Sequence, residues 1–153
     1  MTAVPQFGTP QAGRVYPDRP AAFVVLEAEG RIAVARVTFA KGGGRLDLPG
    51  GGVDPGETPA AAAARECGEE VGLRVAVEAQ PFTRADHFFA NEDGETVNTR
   101  GLFFAARLVA EAPELKIEDD HALEWMAPHE ALIALDRESH AWAVAAWLRR
   151  GRA

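Results

Sequence analysis

Three glutamates within five residues are the part of the sequence best suited to chemistry. Glu66, Glu69 and Glu70 lie in the segment TPAAAAARECGEEV, which predicts a helix with Thr58 as N-cap and Pro59 at its first position. Residues at i, i+3 and i+4 share one face of a helix, so the three carboxylates lie together. Clustered carboxylate oxygens suit a hard divalent cation such as Mg²⁺. The spacing therefore favours a metal site on this helix.

The alternative for this helix face is a solvated acidic surface that binds no ligand. Like charges at these spacings repel by roughly 0.2–0.5 kcal/mol per pair. Arg65 is the only basic residue on the helix that could offset this repulsion. The carboxylates also lie toward the helix C-terminus, where the helix dipole disfavours negative charge. The arrangement is energetically unfavourable on each of these counts. We therefore expect the three glutamates to have a function, such as metal binding, that compensates for the cost.

The opposite face of the same helix carries an apolar stripe. Ala60, Ala64, Cys67 and Val71 fall at i, i+4, i+7 and i+11, and we expect them to pack on a sheet. Gly72 stands where a C-terminal cap belongs. Cys67 is the sole cysteine, which excludes an intrachain disulfide and a zinc–thiolate cluster and fits a reducing compartment.

The run GGVDPGETPAAAAARECGEEVGL, residues 51–73, resembles the Nudix box, G-x5-E-x7-R-E-U-x-E-E-x-G-U, in which U is a bulky aliphatic residue. Every invariant position holds the expected residue: Gly51, Glu57, Arg65, Glu66, Glu69, Glu70 and Gly72. Leu73 fills the last U position, and Cys67 stands at the first. A cysteine there is a small buried hydrophobe and leaves the chemistry unchanged. The chain is thus similar to MutT-like Nudix hydrolases from about residue 20 onward.

The resemblance implies a catalytic role for each matched residue. The divalent-metal ligands would be the backbone carbonyl of Gly50 and the carboxylates of Glu66, Glu69 and Glu70. Glu57 and Arg65 would orient the loop against the helix. The expected cofactor is Mg²⁺, with Mn²⁺ as a substitute. The implied reaction is hydrolysis of a nucleoside diphosphate linked to another moiety, by attack of water on phosphorus.

Residues outside the box are expected to select the substrate. Five could contact a base or a phosphate: Arg84, Phe88, Asn98, Arg100 and Trp125. Phe88 and Phe89 are neighbours on a predicted strand, so one of the two is expected to point into the core. The four histidines, His87, His121, His129 and His140, are scattered, and we expect structural or surface roles for them.

An acidic run precedes the predicted strand that contains Trp125. It consists of Glu118, Asp119 and Asp120. Nudix enzymes often supply one more carboxylate to the site from this region, and the resemblance implies the same here. A solvated acidic loop is an equally good interpretation of these three residues.

The substrate is narrowed by elimination. ADP-ribose pyrophosphatases of the family usually carry a proline some 15 or 16 residues after the box, and diadenosine polyphosphate hydrolases carry a tyrosine nearby. Residues 88–91 are Phe-Phe-Ala-Asn, so neither signature is present, and those of the coenzyme A and NADH diphosphatases are also missing. Elimination favours a nucleoside triphosphate or related nucleotide. ADP-ribose or another nucleotide sugar is the alternative substrate.

Besides a nucleotide pyrophosphohydrolase, the sequence is compatible with two other classes of protein. A non-catalytic nucleotide-binding regulator usually loses box carboxylates, and all three are present here. A Nudix isomerase acting on an isoprenoid diphosphate needs a catalytic cysteine outside the box, whereas Cys67 lies on the apolar stripe.

Composition restricts the partners. The chain has 153 residues and a net charge of −7, which fits one domain and argues against a general nucleic-acid binder. No apolar run reaches the roughly 18 residues of a membrane helix, and the first residues do not resemble a signal peptide. We therefore expect a cytoplasmic protein with a small nucleotide as its partner. A homodimer is also open.

Hydrophobic patterning predicts a mixed sheet sandwiched between helices, an α/β (α+β) domain. The predicted strands are residues 21–27, 31–39, 46–48, 74–79, 82–89, 97–109 and 123–127, and the predicted later helices are 128–135 and 138–150. The last helix shows a stripe of Trp142, Ala146 and Trp147. Residues 1–20, rich in proline, are expected to form an irregular arm along the domain 21–153 or along a partner subunit.

Overall fold

Nine strands among the described residues, 3–151, hydrogen-bond into one mixed sheet in the computed structural model of the protein. In chain order the strands are β1 (Gln6–Phe7), β2 (Asp18–Ala28), β3 (Arg31–Thr38), β4 (Gly44–Asp47), β5 (Gly50–Gly52), β6 (Leu73–Val77), β7 (Thr83–Ala90), β8 (Thr96–Glu111) and β9 (His121–Met126). The helices are α1 (Pro59–Val71), α2 (Pro128–Ala134) and α3 (Glu138–Arg150), with a 3₁₀ turn at Pro113–Leu115.

Strands β2 and β8 form the centre of the sheet. They run parallel, from Asp18 opposite Asn98 to Glu27 opposite Arg107. The main path is β1-β7-β8-β2-β3-β4, while β5 pairs with β2, β6 with β8 and β9 with β3. The continuous apolar run at residues 21–26 is buried on both faces, as a central strand requires.

Alternate residues of β2 face two separate cores, because successive side chains of a strand point to opposite faces. One core joins Ala21, Phe23 and Val25 to Ala131, Ala143 and Val144 of the two C-terminal helices. The other joins Ala22, Val24 and Leu26 to Ala62, Ala63 and Cys67 of α1. The sheet therefore lies between helices, and the predicted mixed α+β fold is confirmed.

Helix α1 begins and ends at the residues that the sequence predicts. The hydroxyl of Thr58 accepts a hydrogen bond from the Ala61 N–H at 3.2 Å, and Pro59 opens the helix. Gly72 adopts the left-handed conformation, with φ at 67°, and its N–H donates to the Gly68 carbonyl. These local caps fix which residues of α1 face the sheet.

The buried face of α1 differs from the predicted stripe. Cys67 and Val71 are buried as predicted, but Ala63 is fully buried where Ala64 was expected. The helix packs on the sheet and also on the 3₁₀ turn, where Leu115 approaches Gly68. This second contact broadens the buried face, which includes Glu70.

Part of the predicted irregular arm forms strands. In β1, Gln6 and Phe7 pair in parallel with Asp86 and His87 of β7, and β2 begins at Asp18 rather than at residue 21. Both pairings use partners that are distant in sequence, so local composition does not reveal them. Residues 1–2 and 152–153 lie outside the described residues, and the division into an arm and a domain stays a prediction.

The other elements agree with the predicted ones to within a few residues, with two corrections. The loop predicted between residues 49 and 57 contains the short strand β5. The predicted stripe of α3 is correct for Trp147, which packs against the core, but Trp142 is 42% exposed, and the buried residues of the helix are Ser139, His140, Ala143 and Val144. No described helix is long and apolar enough to cross a membrane.

Candidate active site

A cavity of about 310 Å³ opens beside β5, the C-terminal half of α1 and the end of the β7–β8 hairpin. Two groups of side chains line it. The carboxylate cluster consists of Glu66, Glu70 and Glu118 with His121. The arginine cluster consists of Arg45, Asp47, Phe89 and Arg137. The volume lies in the range of small-molecule sites, and its lining combines acidic and basic groups.

Glu70 is fixed between β5 and β9. Its Oε1 accepts a hydrogen bond from the Gly50 N–H at 3.1 Å, and its Oε2 lies 3.3 Å from Nε2 of His121. Burial raises the pKa of the Glu70 carboxyl, while His121 and the Gly50 N–H oppose that rise. Gly50 has no room for a side chain, because a Cβ there would lie 2.2 Å from the Ala22 carbonyl oxygen.

Glu66 lies one helical turn earlier, against the backbone of Gly51. A Cβ on Gly51 would lie 2.7 Å from the carboxyl carbon of Glu66, so the glycine is what permits this approach. Burial, and next the charge of Glu70, raise the pKa of Glu66. The two carboxylates therefore repel each other inside a partly desolvated site.

Arg65 ties the loop to the helix. Its Nε and Nη2 donate to the two carboxylate oxygens of Glu57 at 2.8 and 2.9 Å, a bidentate pair. Its Nη1 donates to Glu66 and Glu69, both at 3.1 Å, and Nη2 also donates to the Gly52 carbonyl at 3.2 Å. The hydrogen bonds from Arg65 lower the pKa of Glu57 to about 2. This geometry is what the orienting role expected for Arg65 and Glu57 requires.

The donor set fits a hard divalent cation. Glu66 and Glu70 line the cavity, and the Gly50 N–H donates to Glu70, whereas Glu69 is not among the lining residues and accepts a hydrogen bond from Arg65. Burial raises the pKa of both Glu66 and Glu70, so a nearby positive charge would offset the cost of keeping them ionised. Oxygen ligands without sulfur suit Mg²⁺ or Mn²⁺ rather than a thiophilic metal.

Of the three predicted extra carboxylates, Glu118 lies at the site, whereas Asp119 and Asp120 are exposed and do not line the cavity. Glu118 lines the cavity, and ligand atoms of Glu118, Asp120 and His121 lie within 4.8 Å of one another. Asp120 pairs with His121, and its Oδ1 lies 2.8 Å from the histidine Nδ1.

His121 is a site residue that the sequence analysis missed. It lies between Glu70 and Asp120, and the Glu70 carboxylate beside it raises the pKa of His121 to about 9. The imidazolium therefore balances part of the negative charge of the carboxylate cluster. Its place at the start of β9, just after the acidic run, is the one signal that could have indicated this role.

The two arginines expected to contact substrate lie on a different surface. Arg84 and Arg100 line a separate cleft together with Asp86. Arg100 is held there by Asp86 and Asp18, each with a nitrogen–oxygen distance of 3.0 Å. Both arginines face away from the cavity because of the register of β7 and β8.

The other three predicted substrate residues also lie outside the cavity lining. Asn98 is buried and accepts a hydrogen bond from Gln6, Phe88 packs edge-on against Tyr16, and Trp125 lines a separate concave surface. Phe89, the neighbour of Phe88, lines the cavity instead. The expectation that one of the two points into the core is wrong, because both are only half-buried and neither belongs to a core cluster.

The arginine cluster has no sequence motif. The guanidinium carbon of Arg137 lies 3.8 Å from the ring centroid of Phe89, and that of Arg45 lies 5.0 Å from it. Nε of Arg45 donates to Asp47 at 2.8 Å. Arg19 joins the lining beside Gly52. These residues come from β2, β4, β7 and the N-cap of α3, so only the tertiary structure brings them together.

The carboxylate set on α1 and the sheet between helices define a class. The sequence model of the NUDIX domain matches residues 17–148, and the chain belongs to this family. As a Nudix domain the chain is a pyrophosphohydrolase, and its fold is similar to that of MutT proteins. The predicted resemblance to Nudix hydrolases is thus confirmed.

Solved structures share the fold. A NUDIX hydrolase from Nitrosomonas europaea is 16% identical, with 88% of this chain and 90% of that chain covered and a TM-score of 0.71. A MutT protein from Methanosarcina mazei Go1 is 20% identical, with coverages of 90% and 98% and a TM-score of 0.70. A MutT NUDIX hydrolase from Burkholderia pseudomallei is 25% identical, with coverages of 84% and 96% and a TM-score of 0.58. No curated protein matches the sequence at a significant level.

Proposed function

We propose that this Nudix enzyme hydrolyses a nucleoside triphosphate or related nucleotide in the presence of Mg²⁺, by attack of water on phosphorus. The observation that carries the proposal is the pairing, within one cavity, of buried carboxylates with guanidinium groups. Carboxylates hold a divalent cation and guanidinium groups bind phosphate oxygens. A polyphosphate with its metal needs both.

Four groups would hold the metal: the Gly50 carbonyl and the carboxylates of Glu66, Glu69 and Glu70. When bound, Mg²⁺ or Mn²⁺ neutralises charge on the diphosphate and lowers the pKa of the attacking water. Glu118 adds a carboxylate at the edge of the same cluster.

The remaining box residues position this set. Arg65 holds Glu66 and Glu69 at fixed distances from the loop, and Glu57 anchors the arginine in turn. His121 orients Glu70 and limits the repulsion between the carboxylates. A fixed ligand set keeps the reacting phosphorus in line with the water without reorganisation during the reaction.

The partner is a small nucleotide, and the cell compartment is the cytoplasm in this proposal. The net charge of −7 disfavours nucleic acid, yet it does not oppose a nucleotide that meets a cation in the cavity. A single buried cysteine is typical of a reducing compartment. A homodimer stays a prediction.

Competition kinetics test the substrate. The full chain with Mg²⁺ is given nucleoside triphosphates and ADP-ribose side by side, and the products are separated. We expect a nucleoside monophosphate and pyrophosphate, with a higher kcat/KM for the triphosphate. A kcat/KM for ADP-ribose that is orders of magnitude higher would support the alternative substrate. Nucleotide binding without turnover of any substrate would support the regulator.

A further inference from the structure

Three buried polar atoms among the described residues have no hydrogen-bond partner: Asp47 Oδ1, Arg137 Nε and His140 Nε2. They lie together, because Asp47 and Leu48 are adjacent and the Leu48 N–H donates to Nδ1 of His140 at 3.0 Å. Buried polar groups are nearly always paired, so each exception needs an explanation. Two of the three residues, Asp47 and Arg137, line the cavity.

Arg137 is held in place without being hydrogen-bonded. Its guanidinium carbon lies 3.8 Å from the Phe89 ring centroid, and its Nε lies 3.3 Å from Asp47 Oδ1. Its side chain is 12% exposed. A stacked and ion-paired guanidinium has lost its rotamer freedom, so Arg137 is pre-organised where it lines the cavity.

The charge around Arg137 is only partly balanced. Asp47, with a side chain that is 8% exposed, is the carboxylate nearest to two guanidinium groups, those of Arg45 and Arg137. Glu92 lies 3.6 Å from Arg45 at the more exposed rim. Arg137 is a buried cation that shares its counter-ion, Asp47, with Arg45. A further anion with free acceptor oxygens would stabilise such a cation.

The position of Phe89 indicates whether the arginine cluster would bind an anion or a nucleobase. The guanidinium of Arg137 covers a face of the Phe89 ring at 3.8 Å, so a base cannot stack on that face. Guanidinium donors match phosphate oxygens in geometry and charge. The arginine cluster is therefore better suited to a phosphate than to an aromatic ring.

We propose that Arg137, supported by Arg45, is a specificity-determining residue that binds a phosphate of the substrate outside the diphosphate held at the carboxylate cluster. The enzyme then prefers chains of three or more phosphates over an isolated diphosphate. This inference rests on the proposed function, since it needs a metal-bound diphosphate in the same cavity.

The test compares inorganic tripolyphosphate with pyrophosphate, each titrated into the full chain with Ca²⁺ in place of Mg²⁺ to slow turnover. Arg137→Gln should weaken the binding of tripolyphosphate about tenfold or more, since a charge-assisted hydrogen bond contributes at least that much. The binding of pyrophosphate should change less than about twofold. Arg107→Gln, the same charge change on an exposed surface, should affect neither ligand.

Each result decides the inference. Equal weakening of both ligands by Arg137→Gln, no weakening of tripolyphosphate, or a wild-type chain without preference for tripolyphosphate would overturn it. If Arg137→Gln lowers the melting temperature below that of the assay, Arg45→Gln takes its place under the same criteria. Hydrolysis of nucleotides without the selective effect overturns this inference alone, whereas absence of any hydrolysis with Mg²⁺ overturns the proposed function.

Discussion

Glu70 is the most deeply buried of the three box glutamates. Its side chain is 11% exposed, compared with 18% for Glu66 and 26% for Glu69. Burial raises its pKa, and the Gly50 N–H and His121 hold it in place despite that cost. Burying a carboxyl group at this cost contributes little to the stability of the fold, so the position of Glu70 is consistent with a role in binding a ligand.

Removing the charge should separate catalysis from folding. Glu70→Gln and Glu69→Gln keep volume and helix propensity, and we expect each to lower turnover at saturating Mg²⁺ by roughly 100-fold or more, because a metal ligand charge is lost. The melting temperature of Glu69→Gln in chelator should hold or rise slightly, because like-charge repulsion on α1 is relieved. Glu70→Gln also loses the ion pair with His121, so its melting temperature should fall below that of Glu69→Gln. Turnover and thermal midpoint are measured on the same preparations.

Cys67→Ser is the matched control on the other face of α1. Cys67 is fully buried, and burial raises its thiol pKa to about 12, so the side chain is a neutral part of the core. The serine hydroxyl loses its water without gaining a partner, at a cost of about 1–3 kcal/mol. We expect a lower melting temperature and unchanged turnover per folded molecule. If the two glutamine variants keep their turnover and unfold more easily, while Cys67→Ser stays stable and loses turnover, the faces of α1 are assigned wrongly.

At the scale of elements, the sequence predicts correctly those helix and strand bounds that are set by contacts between residues close in the chain. Thr58, Pro59 and Gly72 fix the bounds of α1 through contacts within a few residues, so the sequence predicts them. Strand β1 depends on pairing with β7, far along the chain, and the prolines around it suggest irregular structure. The choice between Phe88 and Phe89 likewise depends on sheet register, which no local pattern contains.

The free energy of unfolding is expected to depend on pH through His140, which is buried on α3. Burial first, and then the charge of Arg137, hold the pKa of His140 well below its ordinary value of 6.5. Below about pH 6.5 the unfolded chain therefore binds a proton that the folded chain does not, so the free energy of unfolding falls as the pH falls. This residue contributes at most about 1.4 kcal/mol per pH unit.

Urea unfolding at pH 7.5 and 5.5 checks this prediction. His140→Gln keeps an acceptor for the Leu48 N–H but cannot titrate, so its stability should fall less than that of the wild type between these two pH values. Comparing the two chains removes the contributions of other groups, including His87. Equal losses in both chains would show that His140 is not the group responsible.

At the scale of the molecule, the sheet brings together residues that no motif connects. The family box supplies Glu66, Glu69 and Glu70 on one helix, and the sequence alone predicts that set. Glu118 lies in the loop before β9 and His121 at its first position, while Arg45 is in β4 and Arg137 is the N-cap of α3. The reaction follows from the local set, whereas the phosphate preference depends on side chains that only the tertiary structure assembles.

The most direct measurement of the central claim is the release of pyrophosphate from a nucleoside triphosphate by the full chain, before and after metal removal. The account predicts that exhaustive chelation abolishes turnover and that Mg²⁺ or Mn²⁺ restores it, because the carboxylate cluster needs a cation to receive a polyphosphate. Full turnover by the rigorously metal-free protein would contradict it.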